Sequence, residues 1–265
     1  MPDNNITINI DTRGIATVTM NRPEKHNAFD DGVIAELTAA FEQVANHDGV
    51  RVMVLAAEGK SFSAGADLGW MKRMATYSYD DNLKDANALA NMLKVLNTLP
   101  IPTIARVQGA AFGGAVGLVS CCDMAIAAPR ASFCLSEVKI GLIPATISPY
   151  VIDAIGQRAS RRYFNTAERF SAETATRLGL VSEMVEEDQL DNTINQLIDA
   201  VLANSPAAVK AAKILIADVA NRPINDELIN DTSERIATIR TSSEGQEGLT
   251  AFLEKRPAAW INNSN

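Results

Sequence analysis

Val107-Gln-Gly-Ala-Ala-Phe-Gly-Gly-Ala-Val-Gly-Leu-Val-Ser-Cys-Cys-Asp123 is where an extended apolar run gives way to a helical run of small residues. Gly109, Gly113 and Gly114 stand at the change. Glycine lets a backbone approach a ligand closely. The N–H groups that open a helix have no partner inside it, and the helix dipole favours negative charge there. That is equipment for holding an oxyanion. A second small-residue loop, Ser61-Phe-Ser-Ala-Gly-Ala-Asp-Leu68, follows an apolar strand predicted over 50–56 and can supply a second N–H donor. With the carboxylate of Leu135-Ser-Glu-Val138, the two loops make a candidate site for acyl chemistry.

Working outward, the pattern alternates strands with helices. Ile6, Ile8 and Ile10 alternate, Asp11-Thr-Arg-Gly14 turns the chain, and 15–20 runs extended, which predicts a hairpin. From Asp31 the period changes: Val33, Ile34, Leu37, Phe41 and Val44 share one helical face, with Asp30 or Asp31 as N-cap. Residues 51–57 form a continuous apolar run, as in a strand buried on both faces. Leu83, Ala86, Leu89, Leu93 and Leu96 mark another helix, stopped by Pro100 and Pro102. Strands follow over 103–107, 124–128 and 132–135, with a short helix after the glycine cluster.

This spacing predicts an α/β domain of stacked strand–strand–helix turns reaching to about residue 185. Beyond Glu186 the strand signals stop, and 188–204, 206–220, 225–240 and 243–255 read as helices. The expected division is a core over 1–204 and a helical segment over 205–265 that covers a neighbour or a subunit interface.

The chain has 265 residues, of which 47% are hydrophobic, so a substantial core is expected. Only 5% are aromatic and the net charge is −8, which argues against nucleic acid or an anionic membrane as partner. A small polyanionic ligand stays open if basic residues are placed locally. The three cysteines, Cys121, Cys122 and Cys134, are odd in number and lie in apolar surroundings, so free buried thiols are expected. Met1-Pro-Asp-Asn-Asn5 has neither a basic leader nor an Arg-rich transit pattern. The longest apolar run, 109–122, ends at Asp123 and is too short for a bilayer. A cytoplasmic chain is the expectation.

Other chemistries find little support. Gly59-Lys60-Ser61 imitates the end of a phosphate-binding loop, but Val54 stands where that loop needs glycine. No G-x-G-x-x-G follows a strand and no G-x-S-x-G elbow occurs. His26 and His47 are the only histidines, His47 is expected in solvent at a helix end, and no metal site is expected. Glu137 lies among apolar residues, so it reads as a desolvated acid/base, or else as a helix-opening glutamate or a partner for Lys139. Asp67 can be no more than an N-cap for Leu68–Met74, Asp123 a strand-end cap, and Arg22 and Lys25 surface charges.

Taken together, these segments resemble the crotonase family, the enoyl-CoA hydratase/isomerase superfamily. The matching elements are Asn21-Arg-Pro-Glu-Lys-His-Asn-Ala28, Phe62-Ser-Ala-Gly-Ala-Asp-Leu68, Val107-Gln-Gly-Ala-Ala-Phe-Gly-Gly114 and Asp123-Met-Ala-Ile-Ala127. Phe133-Cys-Leu-Ser-Glu-Val-Lys-Ile-Gly-Leu-Ile-Pro144, the run 172–181 and Phe252-Leu-Glu-Lys-Arg-Pro257 also fit. The resemblance implies a spiral of ββα turns with a C-terminal helical trimerisation segment, in a homotrimer or a dimer of trimers. It implies an acyl-CoA thioester substrate, with coenzyme A as part of the substrate and no separate cofactor. It maps the oxyanion-hole N–H donors to Ala66 and Gly114. Lys25, Ala28, Ala64, Asp67 and Leu68 fall where members line the coenzyme A site, and Lys255 where some members reach the nucleotide phosphates from an adjacent subunit.

One departure matters. Hydratases of the family with two glutamates carry the first three residues after the second oxyanion-hole glycine, which here is Gly117. The second maps to Glu137. The resemblance therefore implies either hydration with Glu137 as main acid/base, or isomerisation of an enoyl-CoA by Glu137 alone, or a family member that binds acyl-CoA without catalysis. The stretch from Gly109 to Asp123 with Leu142-Ile-Pro-Ala-Thr-Ile-Ser-Pro-Tyr150 is similar to bacterial methylglutaconyl-CoA and carboxygeranoyl-CoA hydratases of leucine and acyclic terpene breakdown. That favours a branched or carboxylated substrate such as 3-methylglutaconyl-CoA. The space left at Gly117 is expected to belong to the substrate or to an ordered water.

Overall fold

A computed structural model describes residues 5–261; Met1–Asn4, and with them most of the start read above, lie outside the described residues. The chain opens with β1 (Ile6–Ile10) and β2 (Ile15–Met20), paired antiparallel with Ile6 opposite Met20. Asp11 closes their turn by accepting the N–H groups of Arg13 and Ile15. Then follow α1 (Asp31–Ala45), β3 (Val52–Ala57), α2 (Leu68–Met74) and α3 (Tyr79–Asn97). Next come β4 (Thr103–Val107), β5 (Ala111–Phe112), α4 (Gly114–Cys121), β6 (Met124–Ala127), β7 (Ser132–Cys134) and α5 (Ser148–Thr166). The remainder is β8 (Phe170–Ser171), α6 (Ala172–Leu178), β9 (Glu183–Met184), α7 (Leu190–Leu202), α8 (Pro206–Val219), α9 (Asp226–Thr241) and α10 (Ser243–Glu254).

Two sheets share the work. The larger has the order β1-β2-β3-β4-β6-β9 and is parallel from β2 onward. The smaller is β5-β7-β8, and two isolated parallel bridges, Ser63 with Ala111 and Phe29 with Ala66, extend it. Each turn of the chain thus gives one strand to the larger sheet, one strand or bridging residue to the smaller, and then a helix. The stretches 15–45, 52–97, 103–121 and 124–166 are four such ββα turns, stacked side by side in the spiral that the resemblance implies.

Strand periodicity decides where the core lies. Successive side chains of β3 point to opposite faces. Met53, Leu55 and Ala57 enter the main core with α1 residues Ile34, Leu37 and Phe41. Val52 and Val54 face a second core with Ile104, Ile126 and the α7 residues Leu190, Ile194 and Ile198. Both faces are covered, which is why the run reads as continuously apolar. Local signals set the helix ends. Asp30 Oδ1 accepts the Val33 N–H at 2.9 Å to start α1, and a Ser78–Asp81 capping box starts α3.

Three short strands and one long helix escape the sequence pattern. β5, β8 and β9 are two residues each, too short to show a period. α5 is interrupted at Gly156, whose φ of 73° and ψ of 158° are not helical, so its apolar positions do not keep one period.

The helices after Ser205 are anchored to the opposite ends of the strands from the glycine loops. Asp123 is a strand-end cap as expected: its Oδ2 accepts the Thr103 N–H at 2.7 Å and hydroxyl at 2.9 Å. Lys213 of α8 donates to the same oxygen at 2.6 Å and to the Ile101 carbonyl at 2.9 Å. Ile214, Ile216, Ile236, Leu249 and Phe252 on these helices remain exposed, Phe252 by 82%. Among the described residues, no single helix is long and apolar enough to cross a membrane. Cys121, Cys122 and Cys134 are free, and burial pushes their thiols up, that of Cys122 to about 12.

Candidate active site

The spiral places the ends of successive turns next to one another. Phe29 donates its N–H to the Gly65 carbonyl at 2.7 Å, and Asp67 donates to the Phe29 carbonyl at 2.6 Å. In a parallel bridge, the residue between those two partners turns its own N–H to the other side. That residue is Ala66, which is exposed and donates to no acceptor among the described residues. One turn further on, Gly113 donates to the Cys134 carbonyl at 2.8 Å. Gly114 is the first residue of α4, where a helix offers no internal acceptor, and it too donates to none among the described residues. The loop reaches this position because Gly65 has a φ of +89° and a Cβ there would lie 2.9 Å from the Phe112 carbonyl oxygen.

Two buried amides hold these loops in place. Asn27 Nδ2 donates to the Glu58 and Ser61 carbonyls at 2.9 Å each, and its Oδ1 accepts the Arg22 N–H. Gln108 Nε2 reaches the carbonyls of Ala57, Gly59 and Ser61 at 2.8, 3.1 and 3.2 Å. Neither residue was singled out from the sequence. Their signal was a polar amide placed among positions that must be buried.

Glu137 opens a 3-10 turn, Glu137–Ile140, which follows β7 after Leu135 and Ser136. Its Oε1 lies 3.3 Å from where a Gly113 Cβ would be. Its Oε2 is buried without a hydrogen-bond partner among the described residues. Burial raises the carboxyl above its ordinary range, outweighing a hydrogen bond from its own backbone. Among the described residues, Lys139 makes no ion pair with it. A carboxyl group desolvated by burial is thus combined with a place at the start of a helical turn.

Five further candidates gather around the loop of Ala66. Lys25 is exposed, with Nζ 3.8 Å from Asp67. Asp67 is the N-cap of α2, accepting from Gly69 at 2.7 Å and Trp70 at 3.1 Å. Burial works against its charge. The Trp70 and Gly69 N–H groups, then Lys25 and Arg22, overcome that and hold its carboxyl below the ordinary range. Ala28 is buried, while Ala64 is exposed with its N–H spent on the His26 carbonyl at 2.9 Å. Leu68 is 74% exposed at the rim. Arg22 corrects an expectation. It is no surface charge but 8% exposed, bonded to the Ala28 carbonyl at 3.2 Å and to Asp30 at 3.0 Å. Lys255 stands apart from this group. It caps α10 in a left-handed conformation, and α10 packs on α8 and α9.

Gly117 corrects a second expectation. A Cβ on residue 117 would lie 2.4 Å from Ile147 Cγ2 and 3.3 Å from Leu93 Cδ2. The space belongs to these buried side chains, not to a substrate or a water. Among the described residues, no group of three or more His, Cys, Asp or Glu side chains could hold a metal ion.

Two unspent N–H groups beside an uncompensated carboxylate can stabilise an oxyanion and move a proton near it. Together with the ββα spiral, they are the equipment of an enzyme for acyl chemistry. Comparison with known proteins makes the assignment specific. Residues 11–263 match the family described as enoyl-CoA hydratase/isomerase. The chain is 31% identical to a short-chain-enoyl-CoA hydratase of Clostridium acetobutylicum, over 94% of this chain and 95% of that one. An enoyl-CoA hydratase from Shewanella pealeana shares 48% identity and a TM-score of 0.94, covering 97% of this chain and 96% of that one. One from Mycobacterium smegmatis shares 33% and a TM-score of 0.91, covering 97% and 98%. The chain belongs to the enoyl-CoA hydratase/isomerase family.

Glu137→Gln should stabilise the protein at neutral pH. The native state holds the Glu137 proton more tightly than the unfolded chain does, so stability falls as pH rises from the ordinary carboxyl pKa through the raised one. The gain in Tm should be clear at about pH 7 and vanish below about pH 4. A gain independent of pH would exclude the desolvated carboxylate.

Gly114→Ala should lower kcat/KM by about tenfold or more through a small displacement of the loop. Its Cβ would press on Phe29 Cε2 at 3.0 Å, and Phe29 carries the bridge to Ala66. Adding Phe29→Leu should restore part of the loss. Strict additivity of the two losses would break the link.

Proposed function

We propose that this protein adds water to the double bond of a 2-enoyl-CoA, with Glu137 as its acid/base. The observation that carries this is the Glu137 carboxyl, whose Oε1 lies against Gly113 and whose Oε2 is buried without a partner among the described residues, next to the free N–H of Gly114. In this reading the thioester oxygen accepts hydrogen bonds from Ala66 and Gly114. Glu137 takes a proton from water as the water oxygen bonds to C3. The electron pair of the C2–C3 double bond passes to the thioester oxygen, forming the enolate. Glu137 then returns its proton to C2 as the enolate collapses. Each backbone donor in such a hole contributes about 3 kcal/mol to the transition state. A carboxyl with a raised pKa is suited to both taking and returning the proton. The hydratase names of the relatives support the same reaction.

The acyl group we propose is branched or carboxylated, as in 3-methylglutaconyl-CoA, which would place the enzyme in leucine degradation. The local pattern of Gly109 to Asp123 and Leu142 to Tyr150 supports it. So do exposed Ile140, Leu142 and Ile143, which follow Glu137 and offer apolar surface to a branched chain. Lys25, Ala28, Ala64, Asp67 and Leu68 would line the coenzyme A site in the cytoplasm, with no separate cofactor. A homotrimer or dimer of trimers would cover the apolar residues of α8 to α10 and bring Lys255 to a neighbour's nucleotide.

One observation favours isomerisation as a second reading. Ile147 closes the position of a second carboxylate, and a single carboxylate suffices to take a proton from C2 and return it to C4. Ultraviolet absorbance separates the two. Loss of the conjugated enoyl-CoA band on enzyme addition means hydration, gain from a 3-enoyl-CoA means isomerisation, and no change with any acyl chain defeats both.

Glu137→Gln should lower turnover by at least about a hundredfold while thioester binding persists. Turnover within a few-fold of the parent would remove Glu137 from the chemistry. Light scattering at micromolar concentration should give the mass of a trimer or hexamer, because exposed apolar helix faces of this extent call for cover. A monomer mass would refute that assembly.

A further inference from the structure

α2 begins soon after Ala66, with Asp67 as its cap, and has little of its own to stand on. It is seven residues long, below the length at which a helix holds together in water by itself. Of its described residues, Trp70 alone is buried, 6% exposed in the main core. The indole Nε1 donates to Asp85 Oδ2 of α3 at 2.9 Å. An indole N–H buried without such a partner costs free energy. Arg73 pairs with Asp31 at the start of α1, but both side chains are exposed and such a pair holds little. Trp70 and Asp85 are therefore the inward anchor of α2.

Hydrogen bonds link this anchor to the donor. Trp70 donates its backbone N–H to Asp67 Oδ1 at 3.1 Å, and Asp67 donates its own to the Phe29 carbonyl at 2.6 Å. Ala66 is the residue just before. At the other end, Asp85 belongs to α3, which packs on α1 and α4 and buries Met92, Leu93 and Leu96 fully. Leu93 Cδ2 stands 3.3 Å from where a Gly117 Cβ would be, three residues after the Gly114 donor that opens α4. The two donor loops already meet on one side through the bridge of Ser63 with Ala111. The path through Trp70, Asp85 and α3 joins them on a second side.

We infer that Trp70 is a positioning residue: by donating its indole N–H to Asp85 it seats α2 on α3 and so aims the Ala66 N–H at the point served by the Gly114 N–H. This rests on the function proposed above. Two donors act on one oxygen only while their separation is held, and a displacement of about 1 Å costs about a hundredfold in rate. The Asp67 cap cannot supply that seat, because its bonds go to Gly69 and Trp70 of α2 and move with the helix. The Phe29 bridge fixes the chain at Ala66 from one side, and the indole bond fixes the residues that follow it. Trp70 acts through Asp67 and not on the reacting atoms.

The test uses Trp70→Phe, Asp85→Leu, Asp85→Asn and the first two combined, each assayed on a 2-enoyl-CoA at a temperature where it is fully folded. Trp70→Phe and Asp85→Leu should each lower kcat about tenfold with KM held within about twofold, because the donors act on the transition state. Asp85→Asn keeps a carbonyl oxygen for the indole and should stay within about threefold of the parent. The combined variant should be no slower than the slower single one, since both remove the same bond. Parental kcat in Trp70→Phe and Asp85→Leu, with only the melting temperature lowered, would overturn the inference. So would a loss carried by KM, additive losses, or Asp85→Asn as slow as Asp85→Leu. Amide hydrogen exchange reads the anchor without substrate: residues 66–74 should exchange faster in Trp70→Phe while β4 does not change. Unchanged exchange over 66–74 would equally overturn it. A parent that turns over no enoyl-CoA would sink the hydratase reading, whereas the exchange would still decide whether Trp70 holds the Ala66 segment.

Discussion

The parallel bridge between Phe29 and Ala66 is the contact on which the site depends. Every buried backbone N–H and carbonyl needs a partner. The bridge spends the Phe29 N–H on Gly65 and the Asp67 N–H on the Phe29 carbonyl, and this accounting leaves the Ala66 N–H over. The next turn repeats the logic: Phe112 bonds to Ser63, Gly113 to Cys134, and Gly114 opens a helix with its N–H unspent. The spiral therefore creates free donors by using up their neighbours. Gln108 and Asn27 keep the bridge in register. Between them they satisfy the carbonyls of Ala57, Glu58, Gly59 and Ser61, each of which would cost about 1–3 kcal/mol if buried without a partner.

Two carboxylates of similar sequence character end with opposite electrostatics. Asp67 sits at the start of α2 under two N–H groups, with Lys25 and Arg22 nearby, and these hold its carboxyl below the ordinary range. Glu137 has burial and no counter-charge, and its proton is held more tightly. The environment alone separates the roles: one carboxylate shapes a loop and the other is available to move a proton. The same local logic reconciles a net charge of −8 with an anionic ligand. A polyanion responds to the cations within a Debye length of it, about 10 Å, and not to the distant surface.

Much of this was legible from the chain. The hairpin, the Asp30 and Asp67 caps, the two-faced burial of β3 and the loops around Ala66 and Gly114 all follow from period, turn chemistry and small residues. Those signals are local. Arg22 looked like a surface charge because its partners, the Ala28 carbonyl and Asp30, become close only when the loop folds back. The Gly156 break in α5 removed the period that would have shown that helix. The occupant of the Gly117 space was out of reach for the same reason. Ile147 is thirty residues away, and no pattern in one sequence states which side chain fills a gap on another element.

Gly113 and the two glycines of α4 that follow it gather these lines. Gly113 is needed for a φ of +54° and for the approach of Glu137. Gly114 admits the Phe29 ring, and Gly117 admits Ile147. The start of one helix is thus approached by the residue that builds the bridge to Ala66, by the Glu137 carboxyl and by Ile147. A Cβ at any of the three would push one of those partners away. The short, nearly featureless helix is consequently the ruler of the site. The absent side chains at its start set how close the Phe29 ring, the Glu137 carboxyl and Ile147 can stand to its backbone.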